Sequence, residues 1–183
     1  MTLPRIQFDQ LSGPGVTRSG KTIGDLAGVF SDEAAHAAMP ASTLAYEVLM
    51  HAAVPEGTPG GLFFGISLLS PGDVGGECFM TRGHFHANAD RGEYYWGISG
   101  TGLLVLMTRD RKWRVEEVSP GSLHYIPGET AHRLVNTGDE RLAVGACWPS
   151  DAGHDYASIA RDGFSVRVYR RDGKVRLVEE GVR

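Results

Sequence analysis

Three residues that could bind a metal ion lie close together in the segment TRGHFHANADRGEYY: His84, His86 and Glu93. In an extended chain alternate side chains point to the same side, so the two imidazoles should face one space. A third histidine, His132, follows in the segment GSLHYIPGETAHRLVN. Three imidazoles and one carboxylate suit a divalent first-row metal such as iron, manganese, nickel or zinc. The sequence therefore predicts a metal site with these four residues as ligands.

The number of ligands indicates the chemistry that such a site could perform. A six-coordinate ion held by four side chains keeps two positions open for water or substrate. It can polarise two oxygens of one substrate and stabilise the negative charge that develops between them, which is the charge pattern of an enediol. Three other histidines, His36, His51 and His124, occur singly, and we expect them to be structural or exposed.

Short strands are the elements that must position these side chains. From Ala41 onward the chain alternates apolar runs such as GLLVLMT with turn sequences such as NTGDE and RRDGK. About ten such runs predict an all-β fold, a sandwich or barrel of antiparallel strands. Before them, a polar arm rich in glycine and proline leads into a predicted helix between Lys21 and Met39, with Ser31 as its N-cap and Pro40 after its end. We expect residues 1–40 to pack as an arm and short helix on a barrel of residues 41–183.

Composition narrows the class of protein. A chain of 183 residues, 42% of them hydrophobic, is long enough for a single domain with one core. A formal charge of -4 argues against nucleic acid or an anionic membrane as a partner. We expect a cytoplasmic protein, because no signal sequence and no run of about 18 apolar residues is found. Cys78 and Cys147 lie in separate apolar runs and are predicted to be free thiols.

The spacing of the candidate ligands resembles the two motifs of the cupin superfamily. The pattern consists of His84-x-His86, then Glu93-x6-Gly100, and later Gly121-x5-Pro127-x4-His132-x3-Asn136. Two features depart from the general motif. Six residues separate His86 from Glu93 where three or four are usual, and Glu129 stands in place of a second glycine. The resemblance implies a jelly-roll barrel, also described as a double-stranded β-helix.

Longer stretches resemble one family within that superfamily, the cupin-type glucose-6-phosphate isomerases. They are TRGHFH, DRGEYY, AHRLVNTGDE and DAGHDY followed by GF, and the resemblance extends over most of residues 20–170. It implies a homodimer that interconverts glucose 6-phosphate and fructose 6-phosphate. It also implies one divalent metal per subunit, iron before manganese, nickel or zinc.

The resemblance also implies a role for individual residues. His84, His86, Glu93 and His132 become the metal ligands. The phosphate group would be bound by Ser67, Thr81, Gly83 and Tyr95, since hydroxyls and a glycine amide can donate to its oxygens. His154 and Tyr156 of DAGHDY would reach the substrate if their loop closes over the barrel mouth. Glu93, Tyr95 and His154 are the candidates for catalytic proton transfer.

Two positions differ from the family pattern. Ser67 stands where the family has threonine, and Trp148 stands where some members have tyrosine. An indole cannot exchange a phenolic proton, so no mechanism here can use a hydroxyl at position 148. The basic residues Arg82, Arg91 and Arg133 are expected at the surface or in turns rather than on the phosphate.

The residues leave the mechanism and the exact reaction open. Proton transfer through a cis-enediol is the expected route, with Glu93 as the first candidate base. A metal-bound carboxylate is a weak base, so Tyr95, His154 or a hydride shift are alternatives. A dioxygenase with the same ligands, an isomerase of another sugar phosphate such as mannose 6-phosphate, and a non-catalytic sugar-phosphate sensor are the competing functions.

Overall fold

Strands dominate the computed structural model, which describes residues 3–180. The strands are β1 Arg5–Gln7, β2 Gln10–Ser12, β3 Val16–Thr22, β4 Leu44–Ala52, β5 Leu62–Leu69, β6 Asp73–Val74, β7 Glu77–Cys78, β8 Glu93–Ser99, β9 Gly102–Thr108, β10 Trp113–Val118, β11 Leu123–Ile126, β12 Thr130–Asn136, β13 Leu142–Pro149, β14 Val166–Arg171 and β15 Lys174–Glu179. The helices are α1 (Glu33–Ala38) and α2 (Tyr156–Asp162), with a 3-10 turn at Gly24–Leu26. The predicted all-β fold with short helices is confirmed.

Antiparallel pairing joins these strands into three sheets and a hairpin. The largest sheet has the order β11-β8-β13-β5-β4-β3, and a three-stranded sheet has the order β10-β9-β12. The C-terminal strands form a third sheet, β15-β14-β7-β6, and β1 pairs with β2. One apolar core lies between the three sheets. This is the sandwich-like closure of a jelly roll, in which antiparallel sheets bury one face against each other.

The core lies against β9 and β12, which are buried on both faces. Leu104 and Leu106 from β9 and Leu134 from β12 are at most 2% exposed. Burial of each such leucine contributes about 1.5–3 kcal/mol relative to exposure. Because β12 also carries His132, this packing fixes the backbone that positions one predicted metal ligand.

The N-terminal region differs from its prediction in two ways. β3 pairs with β4 from Val16 to Thr22, so this stretch is part of the largest sheet and not a separate arm. The predicted helix was too long, since α1 spans six residues and Gly28 before it has a φ of +76°. Its N-cap is Asp32, whose carboxylate accepts from the Ala35 amide at 2.8 Å, and not Ser31. The domain limits predicted at residues 1, 40 and 183 stay predictions, and the chain ends lie outside the described residues.

The hairpin β1–β2 covers part of the outer face of the largest sheet. Leu11 packs there with Leu49 and Ile66, which are 2% and 0% exposed, in a second apolar cluster separate from the main core. The hairpin therefore shields part of the outer face formed by β4 and β5.

A buried ion pair connects β7 with β14, and the same carboxylate holds the segment before α1. Glu77 accepts from the Arg167 guanidinium at 2.8 Å, and both side chains are almost completely buried. The second carboxylate oxygen of Glu77 accepts from the amide and hydroxyl of Ser31 at 2.8 and 2.9 Å. Ser31 is therefore an anchor for the segment before α1.

Two further predictions can be compared with residues 3–180. Cys78 and Cys147 are both free thiols, as predicted, and burial followed by the nearby Asp73 raises the pKa of Cys78 to about 11. Neither of the helices in this range combines the length and apolar character that a membrane crossing requires.

Candidate metal centre and active site

The two histidines of the His-x-His pair lie in an irregular segment between β7 and β8, not in a regular strand as predicted. His84 nevertheless forms an isolated antiparallel bridge with His132 of β12. The His132 amide donates to the His84 carbonyl at 3.0 Å, and the reverse bond measures 3.3 Å. Phe85 makes a similar bridge to Asp155. These bridges keep the segment extended, so His84 and His86 face one pocket despite the missing strand.

The four predicted ligands converge. One ligand atom from each of His84, His86, Glu93 and His132 can be chosen so that all four lie within 4.8 Å of one another. Glu93 Oε1 is 2.6 Å from His132 Nε2 and 3.5 Å from His86 Nε2. His84 is half-buried and the other three are buried.

The arrangement of the donor atoms suits binding of a metal ion better than it suits hydrogen bonds between the donor atoms. Within residues 3–180, Glu93 Oε1 and His132 Nε2 are buried and neither has a partner in hydrogen-bonding geometry, although they are close. Buried polar atoms without partners are costly, and a cation between them would satisfy both. Nitrogen and carboxylate donors in this ratio suit a divalent first-row metal.

Backbone carbonyls orient two of the imidazoles. His86 Nδ1 lies 2.6 Å from the Arg91 carbonyl, and His132 Nδ1 lies 3.3 Å from the Thr130 carbonyl. A carbonyl can only accept, so each Nδ1 carries the proton and each Nε2 keeps its lone pair for the pocket. The turn between His86 and Glu93, two residues longer than the general motif allows, supplies the Arg91 carbonyl.

Charge interactions in the pocket also favour ligation. Burial alone would raise the pKa of Glu93, but His132 and His86 outweigh it and lower the pKa to about 2. Burial, then the neighbouring His132, His154 and His86, lower the pKa of His84 well below its ordinary value, which keeps this imidazole neutral. His86 is the exception: burial opposes its charged form, but its contacts with Glu93 raise the net pKa, so a metal ion has to compete with a proton at this residue. A neutral imidazole and an ionised carboxylate are the forms that bind metals.

The predicted phosphate-binding residues line the same pocket. Thr81 Oγ1 accepts from the Leu134 amide at 3.1 Å, which leaves its hydroxyl hydrogen free to donate. Gly83 has a φ of +74°, and a Cβ there would come within 2.7 Å of the Phe164 ring and 3.0 Å of the His132 carbonyl. Only glycine fits this position. Burial and the Glu93 carboxylate raise the pKa of Tyr95 well above its ordinary value, so its hydroxyl is a donor at neutral pH.

His154 and Tyr156 lie at the pocket mouth. The His154 ring is 4.5 Å from that of His84, and the Tyr156 ring lies parallel to it at 5.4 Å. Both residues are exposed to solvent on one side. Partial burial, and then the charge of His86, lower the pKa of His154, so that it is neutral near pH 7 and able to accept a proton.

Two anchors hold the loop that carries His154. Asp155 exchanges two backbone hydrogen bonds with Phe85, at 2.8 and 3.3 Å, and its side chain caps α2. Arg91 donates twice to Asp151, at 2.9 and 2.7 Å. The loop is therefore fastened to the segment that carries His84 and His86, and it holds His154 and Tyr156 at the pocket mouth.

The structure brings all ten predicted site residues to one pocket and adds others. The further lining residues are Tyr46, Val48, Gly65, Ala146 and Trp148. Apart from Trp148, these were missed, because they come from β4, β5 and β13 and only strand pairing places them beside the ligands. Alternation along LAYEVLM, which puts Tyr46 and Val48 on one face, was the available signal.

Trp148 forms one wall of the pocket. Its indole lies over Gly65, where an added Cβ would come within 3.0 Å of the ring and 3.0 Å of the Leu49 carbonyl. The large side chain at 148 is therefore accommodated by the absence of one at 65. Within residues 3–180, none of the single histidines His36, His51 and His124 lines this pocket.

The chain resembles known proteins over most of its length. A sequence model of the family described as glucose-6-phosphate isomerase (GPI) matches residues 20–180. The chain is 42% identical over 167 residues to the glucose-6-phosphate isomerase of Thermococcus kodakarensis, covering 91% of this chain and 87% of that protein. It is 38% identical over 164 residues to the protein of that name from Sinorhizobium medicae, covering 88% and 72%.

The similar solved structures include more distant proteins. Oxalate decarboxylase of Bacillus subtilis matches 60% of this chain and 27% of that one, with 20% identity and a TM-score of 0.47. This likeness supports no statement about the reaction. The family model and the two relatives do decide the family: this chain belongs to the glucose-6-phosphate isomerases of the cupin type.

Proposed function

We propose that the protein is a metal-dependent aldose–ketose isomerase that interconverts glucose 6-phosphate and fructose 6-phosphate through a cis-enediol. The observation that carries this proposal is the convergence of four ligand-type side chains within 4.8 Å on the wall of a pocket that also presents hydroxyl donors. Membership of the family supplies the substrate.

His84, His86, Glu93 and His132 would hold one divalent ion per subunit, and iron is the metal that we propose first. When bound, such an ion polarises the oxygens on C1 and C2 of the open-chain sugar. Ser67, Thr81, Gly83 and Tyr95 would bind the phosphate by donating hydrogen bonds, which orients the sugar chain toward the metal ligands. The structure supports this division because the two sets of residues line one pocket.

Proton transfers fall to the chain's own side chains. His154, at the pocket mouth and in ring contact with His84, is placed to assist the opening of the sugar ring. Glu93 would move the proton between C2 and C1, and Tyr95, whose hydroxyl lies beside that carboxylate, is the second candidate. Trp148 takes no part in proton transfer, because it has no exchangeable phenolic proton. Its indole instead excludes water from one side of the pocket.

Two other reactions could use the same ligands. A dioxygenase would need the open metal positions for oxygen and has no use for a wall of hydroxyl and glycine donors. An isomerase for mannose 6-phosphate would use the same pocket, because the configuration at C2 is lost in the enediol. The hydroxyl donors favour a sugar phosphate over oxygen chemistry, and family membership favours glucose 6-phosphate.

Product analysis tests the proposal. The protein is stripped with chelator and reloaded anaerobically with ferrous ion. Fructose 6-phosphate is then added in deuterium oxide, and the sugar phosphates are followed by ³¹P and ¹³C NMR. We expect glucose 6-phosphate as the product, with solvent deuterium incorporated at C2. Mannose 6-phosphate as the main product would reassign the substrate, and oxygen uptake without isomerisation would contradict the proposal. Glucose 6-phosphate without deuterium would exclude exchange with solvent and favour the hydride shift.

We also propose that the protein is a cytoplasmic homodimer. Cross-strand pairing aligns Tyr125, Tyr94, Cys147 and Phe64 in one row across the outer face of the largest sheet. Tyr94 and Tyr125 are 49% and 53% exposed, and Leu123 beside them is 68% exposed. An exposed aromatic row on a sheet is typical of an interface, and a second copy of the chain presents the same row.

A further inference from the structure

A second cavity lies behind β12, on the side away from the metal pocket. His132 and Arg133 are neighbours in this strand and so point to opposite faces. His132 lines the metal pocket and Arg133 lines the second cavity, which has a volume of about 100 Å³ and shares no lining residue with the first. Its wall includes three arginines, Arg82, Arg133 and Arg167.

Arg133 is a buried cation that forms no direct ion pair within residues 3–180, although Glu77 and Glu180 act on its charge from a greater distance. It is 6% exposed, contrary to the surface position expected from the sequence. Its guanidinium lies 4.3 Å from the centre of the Phe164 ring, and Nη2 donates to the Arg82 carbonyl at 2.6 Å. Within residues 3–180, Nε has no hydrogen-bond partner, and no carboxylate oxygen lies within 4.0 Å of the guanidinium. A buried guanidinium nitrogen without an acceptor is unfavourable, so an oxyanion in the cavity would stabilise Arg133.

The other two arginines share the available carboxylates. Arg167 forms ion pairs with both Glu77 and Glu180, and these two carboxylates also act on the charge of Arg133. Arg82 donates to the backbone carbonyl of Asp25 and, in the part of the chain that the structure describes, forms no ion pair with a carboxylate. Three guanidinium groups and two carboxylates leave one positive charge, which faces a space larger than one water requires.

We propose that this cavity binds a small oxyanion, the phosphate or carboxylate group of a metabolite, at a site separate from the metal pocket. The planar guanidinium donates two parallel hydrogen bonds to such groups. The anion would accept from Arg133 Nε and balance the one remaining positive charge. The cavity opens between Gly28 and the exposed Ala160 of α2, which gives the anion a route from solvent.

Calorimetric titration of the metal-loaded protein tests the site, with inorganic phosphate and malonate as separate probes at fixed ionic strength. Binding of a probe in the substrate pocket is common to all variants, so differences between the variants measure the second cavity. The variant Ala160→Leu places a larger side chain at the cavity mouth. Ala157→Leu makes the same change on α2 at a position that does not line the cavity.

We expect an oxyanion to bind in this cavity of the wild type and of Ala157→Leu. It should bind at least about tenfold more weakly to Ala160→Leu, because the larger side chain narrows the cavity mouth; a tenfold loss is about the contribution of one charge-assisted hydrogen bond. Whichever probe binds more tightly identifies phosphate or carboxylate as the ligand group. Arg82→Gln should weaken binding in the same way without removing a buried side chain. Equal binding to Ala160→Leu and Ala157→Leu, or no binding to the wild type, would overturn the proposal. The comparison of the two leucine variants does not depend on the proposed isomerase activity.

Discussion

At the scale of single residues, the metal centre depends on imidazoles whose orientation is already set. The Arg91 and Thr130 carbonyls each accept from an Nδ1–H, which directs the Nε2 atoms of His86 and His132 to Glu93. Such hydrogen bonds from the other ring nitrogen fix the tautomer and the ring orientation of a histidine ligand. The sequence predicted these ligands because their spacing along the chain is short and specific, whereas no spacing relates them to Gly65 or Tyr46.

Replacing one ligand should therefore abolish tight metal binding. Loss of a hydrogen bond that orients a metal ligand already costs about 10–100-fold in metal affinity. His132→Gln removes a ligand itself, so it should cost more than about 100-fold. Competition with a chromophoric chelator measures the affinity. His124→Gln is the control, because His124 is also buried but bonds to Glu116 and Ser122 away from the pocket. Equal loss in both variants would contradict the assignment.

The contact between Gly65 and Trp148 gives a second prediction at this scale. Gly65→Ala should push the indole into the pocket, since its Cβ would lie 3.0 Å from the ring. Overpacking typically costs about 1–3 kcal/mol, which at the pocket corresponds to a KM raised about tenfold. Steady-state kinetics measure it with the metal content held equal. The double variant Gly65→Ala/Trp148→Phe should regain part of the loss, and no recovery would show that the clash lies elsewhere.

At the scale of elements, irregular segments rather than strands carry the chemistry. His84 and His86 lie between β7 and β8, and His154 lies between β13 and α2. The sequence predicted a strand for the first pair because the alternation of side chains is the same in a strand and in a bridged extended segment. It could not predict the Asp155–Phe85 bridge, because the two residues are far apart in the chain.

Loosening the loop that carries His154 should slow turnover without releasing the metal. Asp151→Asn removes the negative charge and one of the two hydrogen bonds from Arg91, because an amide has a single acceptor oxygen, and a small displacement of a catalytic group costs about tenfold to a hundredfold in rate. We expect a lower kcat and an unchanged metal affinity, measured on the same preparation. Asp110→Asn, which breaks an ion pair with Lys112 outside the pocket, is the matched control. An unchanged kcat for Asp151→Asn would show that this contact does not position His154 for catalysis.

At the scale of the whole molecule, the arrangement of the sheets decides where the pocket lies. The sequence predicted the strands from Ala41 onward, since their apolar runs are separated by turn residues. It did not predict β3, whose residues are mostly polar and exposed and which is held by backbone pairing with β4. The order β11-β8-β13-β5-β4-β3 depends on contacts between distant parts of the chain, which local patterns do not contain.

The exposed aromatic row predicts a dimer at this scale. Tyr125→Lys places a charge in the row and should convert the dimer to a monomer, because an unpaired charge in an apolar interface is strongly unfavourable. Sedimentation equilibrium measures the mass. Leu177→Lys changes an exposed apolar residue of β15, away from the row, and should leave the dimer intact. A wild-type monomer at all concentrations would exclude this interface.

The most direct test of the account is a titration of stripped protein with ferrous ion under anaerobic conditions, in which turnover of fructose 6-phosphate is measured at each addition. We predict that activity rises in proportion to the iron added and stops rising at one ion per chain. With His132→Gln, equimolar iron should restore almost none of it. Full activity in the presence of excess chelator, or no activity at one bound ion per chain, would contradict the claim that these four residues form the centre of an isomerase.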